Sequence, residues 1–133
     1  MTNSAKRVLV VDDFDDSRFS LSMLLKIEGY EVIEATDGAQ AIEKALKDKP
    51  DLILMDLSLP VIDGLSATRQ IRQSDAMKRV PIIALTAHDL IDIQSQAQDA
   101  GCTDYAPKPI DFMLLINMMT KYLAPGLAES DKP

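Results

Sequence analysis

Asp12 and Asp13 follow directly on the apolar run Val8–Val11, and Asp56 follows directly on a second such run, Leu52–Met55. Solvated, or capping a helix, such carboxylates do no chemistry. Brought into one pocket they repel each other and their proton affinities rise, unless a cation is shared among them. A hard divalent ion with oxygen ligands and retained waters meets that need better than zinc, which makes Mg²⁺ the expected ion and Mn²⁺ its alternative. Two more residues stand in comparable places: Thr86 closes the run Ile82–Leu85, and Lys108 follows the segment Thr103–Pro107. Taken alone, Thr86 reads equally as a β-forming residue at a strand end and Lys108 as a solvated surface lysine. Taken together, a carboxylate beside a divalent ion, a hydroxyl and an ammonium are suited to receiving a phosphoryl group. The cations neutralise the equatorial oxygens while Asp56 attacks in line.

Such convergence requires a particular scaffold. The apolar runs are continuous rather than alternating, the habit of parallel strands covered on both faces. Between them lie segments of helical period at 15–28, 38–48, 64–74, 89–99 and 111–123. In the last, Phe112, Leu115, Ile116, Met119 and Leu123 form one stripe, with Asp111 ahead of it as N-cap. In the first, Leu21, Leu24 and Leu25 form the expected core face, and Gly29 ends the helix as Gly101 ends the fourth. Five strands alternating with five helices predict an α/β fold, a (βα)5 three-layer sandwich of flavodoxin-like type. Its five-stranded parallel sheet is expected in the order 2-1-3-4-5, with the short, proline-bearing fifth strand at an edge. In such a sheet the ligand crevice lies beyond the carboxyl ends of the strands, where the order reverses between the first and third. Asp12, Asp13 and Asp56 all fall there.

Composition narrows the classes. At 133 residues the chain fits one domain, and its 47% hydrophobic and 26% charged content supports a core without disorder. A net charge of −7 disfavours direct binding of nucleic acid. One cysteine, Cys102, and one histidine, His88, exclude a disulfide within the chain, a cysteine cage and any site needing two histidines. No run approaches the roughly 20 apolar residues of a membrane span, and no signal peptide is evident, so a cytoplasmic setting is expected. Residues 1–124 are expected to form the domain and 125–133 a short frayed tail, with no output domain. A chain beginning at Met1 is read as stand-alone.

The ordered set Asp12-Asp13, the segment Asp56-Leu57-Ser58-Leu59-Pro60-Val61-Ile62-Asp63-Gly64, Leu85-Thr86-Ala87 and Tyr105-Ala106-Pro107-Lys108-Pro109 resembles the receiver domain of two-component response regulators. The resemblance implies Asp56 as phosphoacceptor. It implies a Mg²⁺ site made by Asp12, Asp13, the Asp56 carboxylate and the main-chain oxygen of Ser58. It further implies Lys108 as the phosphate-binding lysine, Thr86 and Tyr105 as the switch pair, and a cis peptide between Lys108 and Pro109. The implied partners are a histidine kinase or histidine phosphotransfer protein upstream and a protein target downstream. The chain is expected to be a monomer or a weak phosphorylation-dependent dimer, and no enzyme beyond its own phosphorylation and dephosphorylation. Ser58 and His88, each two residues past a reactive position, stand where the family tunes the lifetime of the phosphoryl group. His88 reads foremost as an exposed residue. Ala106 and Pro107 depart from the usual pattern of the fifth strand.

Three other readings compete. A phosphatase with an aspartyl-phosphate intermediate would need a second aspartate where Ser58 stands. A flavin or dinucleotide module would need a glycine-rich loop, and Gly29, Gly38, Gly64, Gly101 and Gly126 form none. A receiver-shaped scaffold that is never phosphorylated would not need every reactive position filled.

Overall fold

The computed structural model describes residues 5–87 and 90–123; His88 and the tail therefore lie outside the described residues. Five strands, β1 (Arg7–Val11), β2 (Glu31–Ala35), β3 (Leu52–Asp56), β4 (Ile82–Thr86) and β5 (Asp104–Pro107), alternate with α1 (Asp15–Ile27), α2 (Gly38–Asp48), α3 (Gly64–Arg72), α4 (Leu90–Ala100) and α5 (Phe112–Leu123). All pairings are parallel and the order is 2-1-3-4-5, as the alternation of apolar runs and helical periods predicts. Among the described residues no helix is long and apolar enough to cross a membrane.

Successive residues of a strand face opposite sides of the sheet, so each apolar run feeds two cores. Leu9, Val11, Ile53, Met55, Ile82 and Ala84 pack with Ile42 of α2, Ile71 of α3 and Ile93 of α4. Val8, Val10, Leu52, Leu54, Ile83 and Leu85 pack with Leu21 and Leu25 of α1 and Leu115 and Met119 of α5. Helices α1 and α5 thus cover one face, and α2, α3 and α4 the other.

The local signals are met in detail. Gly29 and Gly101 take φ of 101° and 106°, a region costly for any side chain, and end their helices there. Asp111 Oδ1 accepts from Leu114 N at 3.2 Å, capping α5, and β5 lies at the sheet edge. Leu24 departs from expectation. On a helix of 3.6 residues per turn the buried stripe runs through Arg18, Leu21, Ser22 and Leu25, and Leu24 falls on its rim, 40% exposed. Helix α3 also stops earlier than its period suggests, at Arg72, followed by a short 3-10 turn (Asp75–Met77). There Arg72 Nη1 donates to the Met77 carbonyl at 2.6 Å.

Candidate functional site

Register decides what meets at the carboxyl edge of the sheet. Val11 pairs with Met55, Met55 with Ala84 and Ala84 with Tyr105, so β1, β3, β4 and β5 reach that edge together. One residue further on, Asp56 is level with Leu85 and Leu85 with Ala106, on the α1/α5 side of the pleat. Asp12, one past Val11, shares that side by the same alternation. One carboxylate oxygen from each of Asp12, Asp13 and Asp56 lies within 4.8 Å of the other two, with Asp12 and Asp56 buried and Asp13 exposed.

Each buried acid is held by specific donors. Asp12 Oδ1 accepts from Phe14 N at 2.9 Å and its Oδ2 from Ser17 Oγ at 2.6 Å. Asp56, 3% exposed, accepts at Oδ1 from Ser58 N at 2.9 Å and at Oδ2 from Lys108 Nζ at 2.7 Å. Burial raises the Asp56 pKa above the ordinary carboxylate value, and the nearby Asp12 adds to this. The hydrogen bonds from Lys108 and Ser58 oppose the shift without cancelling it. A buried carboxylate so placed gains from any further positive charge. The trio is therefore a fitting donor set for a hard divalent cation, with Ser58 at the same cavity.

Lys108 reaches Asp56 from the loop after the edge strand. Its N–H donates to the Thr86 carbonyl at 2.8 Å, and its bond to Pro109 is cis. Thr86 is buried at the same edge but belongs to the other side of the pleat. It is two residues beyond Ala84, which packs with Tyr105 in the α2/α3/α4 core. Consequently Thr86 and Tyr105 do not line the cavity that holds Asp12, Asp13, Asp56, Ser58 and Lys108. A sequence lists strand ends in order, but side-chain parity separates them into two sets. The cavity, about 620 Å³, continues between α1 and the β5–α5 connection, where Phe14, Leu21, Leu24, Ile110 and Phe112 form its wall.

Two supporting residues escape a reading of strand ends. Ser17 holds Asp12, as above. Arg18, 6% exposed, donates from Nη1 to the Asp12 carbonyl at 3.0 Å, from Nε to Glu34 at 2.8 Å and from Nη2 to Asp15 at 2.7 Å. The available signal was an arginine three residues before Leu21 and seven before Leu25, inside an apolar stripe where a charge must find partners. On the far side, Gly64 lets the β3–α3 loop close onto its own strand. A Cβ there would collide with the main-chain oxygen of Asp56. Within that loop Val61 takes φ of 70° and Ile62 N donates to the Pro60 carbonyl at 2.8 Å, a γ-turn on a β-branched residue.

Comparisons with known proteins agree with this geometry. The family model described as response regulator receiver domain matches residues 8–120. The chain is 33% identical over 118 residues to the polar-differentiation response regulator DivK of Brucella anthropi, covering 89% of this chain and 96% of that protein. It is 40% identical over 106 residues to the transcriptional regulatory protein PrrA of Mycobacterium bovis, covering 80% of this chain; there it spans about half of the relative, 45% of its length. Among solved structures, the receiver domain of the sensor histidine kinase PA1611 from Pseudomonas aeruginosa superposes with a TM-score of 0.85 at 37% identity, covering 91% of this chain and 99% of that one. That structure holds a magnesium ion in its active site cleft. The chemotaxis protein CheY4 of Vibrio cholerae gives a TM-score of 0.86 at 31% identity, covering 90% and 100%.

Proposed function

Because the chain belongs to the response regulator receiver domain family of two-component signalling, we propose that it is a phosphorylation-operated switch in which Asp56 takes a phosphoryl group from a phosphohistidine of a partner kinase or phosphotransfer protein. The observation that carries this reading is the placement of the Asp56 carboxylate, which has Lys108 at 2.7 Å on one side and Asp12 and Asp13 within 4.8 Å on the other. Asp56 Oδ forms the new bond to phosphorus as the phosphorus–nitrogen bond of the phosphohistidine breaks and its electron pair returns to the imidazole, while Lys108 moves from the carboxylate to the incoming oxygens, keeping its charge where negative charge accumulates. Asp12, Asp13, Asp56 and the main-chain oxygen of Ser58 would hold Mg²⁺, as the cleft of the Pseudomonas relative does; Mn²⁺ suits the same donors. When bound, the ion supplies charge neutralisation at the phosphoryl oxygens. Asp12 is kept in place for this by Phe14 N, Ser17 and Arg18.

The product acyl phosphate carries nearly two negative charges and strong acceptor oxygens. Thr86 lies one strand end away, on the pleat side it shares with Tyr105. A rearrangement of Thr86 toward the phosphoryl group opens room for Tyr105, and the surface of α4, β5 and α5 changes with it. A preference of about 1–3 kcal/mol for one packing changes partner affinity by roughly 5 to 150-fold. The output is binding of a downstream protein, in the cytoplasm, by a monomer or a weak phosphorylation-dependent dimer. The acidic balance disfavours direct contact with nucleic acid. Turnover is confined to the chain's own phosphorylation and dephosphorylation.

Incubation with acetyl phosphate and Mg²⁺ followed by mass spectrometry tests the chemistry. The parent is expected to gain one phosphoryl mass and Asp56→Asn none; equal gain by both would overturn the assignment.

A further inference from the structure

Helix α1 has two flanks, and only one of them faces the chemistry above. Ser17, Ser20, Leu21 and Leu24 line the cavity of Asp56. Phe19, Ser22, Met23 and Lys26 turn the other way, and with Glu34 of β2 they line a separate groove of about 380 Å³. On a helix of 3.6 residues per turn the two sets are close to opposite. Along the second flank Asp16, Phe19, Met23 and Lys26 follow at spacings of three, four and three, the spacing of a seam that packs on another helix. Phe19 is 54%, Met23 63% and the adjoining Ile27 73% exposed. The Arg18 guanidinium lies 5.1 Å from the centroid of the Phe19 ring and holds it to this flank. Among the described residues neither Asp16 nor Lys26 forms an ion pair.

The order of the seam, acid, apolar, apolar, base, is its own complement when a second copy is laid against it antiparallel. About a two-fold axis level with residue 21, Asp16 meets Lys26 of the second copy at both ends, and Phe19 meets Met23 twice between them, an aromatic ring on a thioether. A partner segment of one charge sign would suit one end of the seam and oppose the other. We propose that this flank of α1 is a self-association surface, an antiparallel pair of α1 helices formed with or without a phosphoryl group on Asp56. Phe19, Met23 and Ile27 leave roughly 350 Å² of apolar surface open per copy, the size of a functional patch but under half of the about 800 Å² that each partner gives to a standard interface. A charge of −7 on each copy adds repulsion. The pair is therefore weak, with half-association at about 100 µM, and the chain is a monomer at low micromolar concentration. None of the seam residues lines the cavity of Asp56, so the pair does not rest on the reading of Asp56 as phosphoacceptor.

Sedimentation equilibrium of the full chain from about 10 µM to about 1 mM, without phosphodonor, tests this. The parent and Asp56→Asn are expected to associate alike. Met23→Glu, at an exposed position, is expected to stay a monomer throughout. Asp16→Lys and Lys26→Asp are each expected to weaken association about tenfold, because like charges then meet at both ends. The double variant Asp16→Lys, Lys26→Asp is expected to regain the strength of the parent, since its seam runs from base to acid and is again self-complementary. Amide NMR of dilute and concentrated parent is expected to shift Phe19, Met23 and Ile27. A parent still monomeric at the highest concentration, association that survives Met23→Glu, or a double variant no tighter than the single ones would overturn the pair; the first of these would leave the flank to a different protein.

Discussion

Lys108 Nζ lies 2.7 Å from Asp56 Oδ2, a contact made across the sheet from an edge-strand loop to a buried strand end. In the resting protein the lysine thus competes with any divalent ion for the same negative charge. Lys108→Gln is expected to tighten Mn²⁺ binding by about fivefold or more, since a unit charge at such range still matters at intermediate dielectric. The same change is expected to slow phosphoryl gain from acetyl phosphate. Titration of free Mn²⁺ by electron paramagnetic resonance checks the first effect, and mass spectrometry the second.

Burial raises the pKa of Asp56, so around the carboxylate range the folded chain binds more protons than the unfolded one. The stability contributed by this group is therefore present below the unfolded value of about 3.9 and lost as pH rises through the folded value. Without metal, Asp56→Asn is expected to melt above the parent at pH 7, with the difference vanishing below about pH 4. Added Mg²⁺ should raise the melting temperature of the parent more than that of the variant. Calorimetry with and without chelator reads both effects.

Arg18 joins the end of β1 to Glu34 on β2 and Asp15 on α1. Removing one member of a buried ion pair strands its partners, but here the Asp15 side chain is 71% and that of Glu34 31% exposed, so water recovers part of the loss. Arg18→Ala is expected to cost about 1–3 kcal/mol in urea unfolding. It is also expected to weaken Mn²⁺ binding, because the Asp12 carbonyl loses its anchor.

Val61, 78% exposed, holds a positive φ that a β-branched residue adopts at a cost. Val61→Asn relieves the strain and is expected to stabilise the chain by about 1 kcal/mol. Gly64→Ala acts in the opposite sense, driving a methyl group into the Asp56 carbonyl. It is expected to lower stability by more than about 2 kcal/mol and to reduce phosphoryl gain together with it. Paired denaturation curves separate the two outcomes.

Tyr122 Oη donates to Asp104 Oδ2 at 2.7 Å, tying the end of α5 to the start of β5. Burial, and then the Asp104 carboxylate, push its pKa up to about 12. The stability this bond contributes is present below about pH 10 and lost as pH rises through the folded value. Absorbance titration at alkaline pH is expected to show a late phenolate step that disappears in Tyr122→Phe. That variant should lose about 1 kcal/mol at pH 7.

The sequence by itself determined what depends on near neighbours. Continuous apolar runs specify strands buried on both faces, glycines at positive φ end helices, and Asp12, Asp13, Asp56 and Lys108 each stand at or just past the carboxyl end of a strand. Because parallel strands in register end together, those residues had to share one edge. Tertiary structure alone decided the rest. Which side of the pleat each strand end takes depends on register between strands far apart in sequence. That parity places Asp56 with Lys108 in the cavity and sets Thr86 on the side of the sheet that Tyr105 shares. Leu24 turned to the rim, and Arg18 found Glu34 and Asp12, because a helix face acquires meaning only once it lies on a particular sheet. The cavity between α1 and the β5–α5 connection belongs to no segment, since its two walls come from opposite ends of the chain.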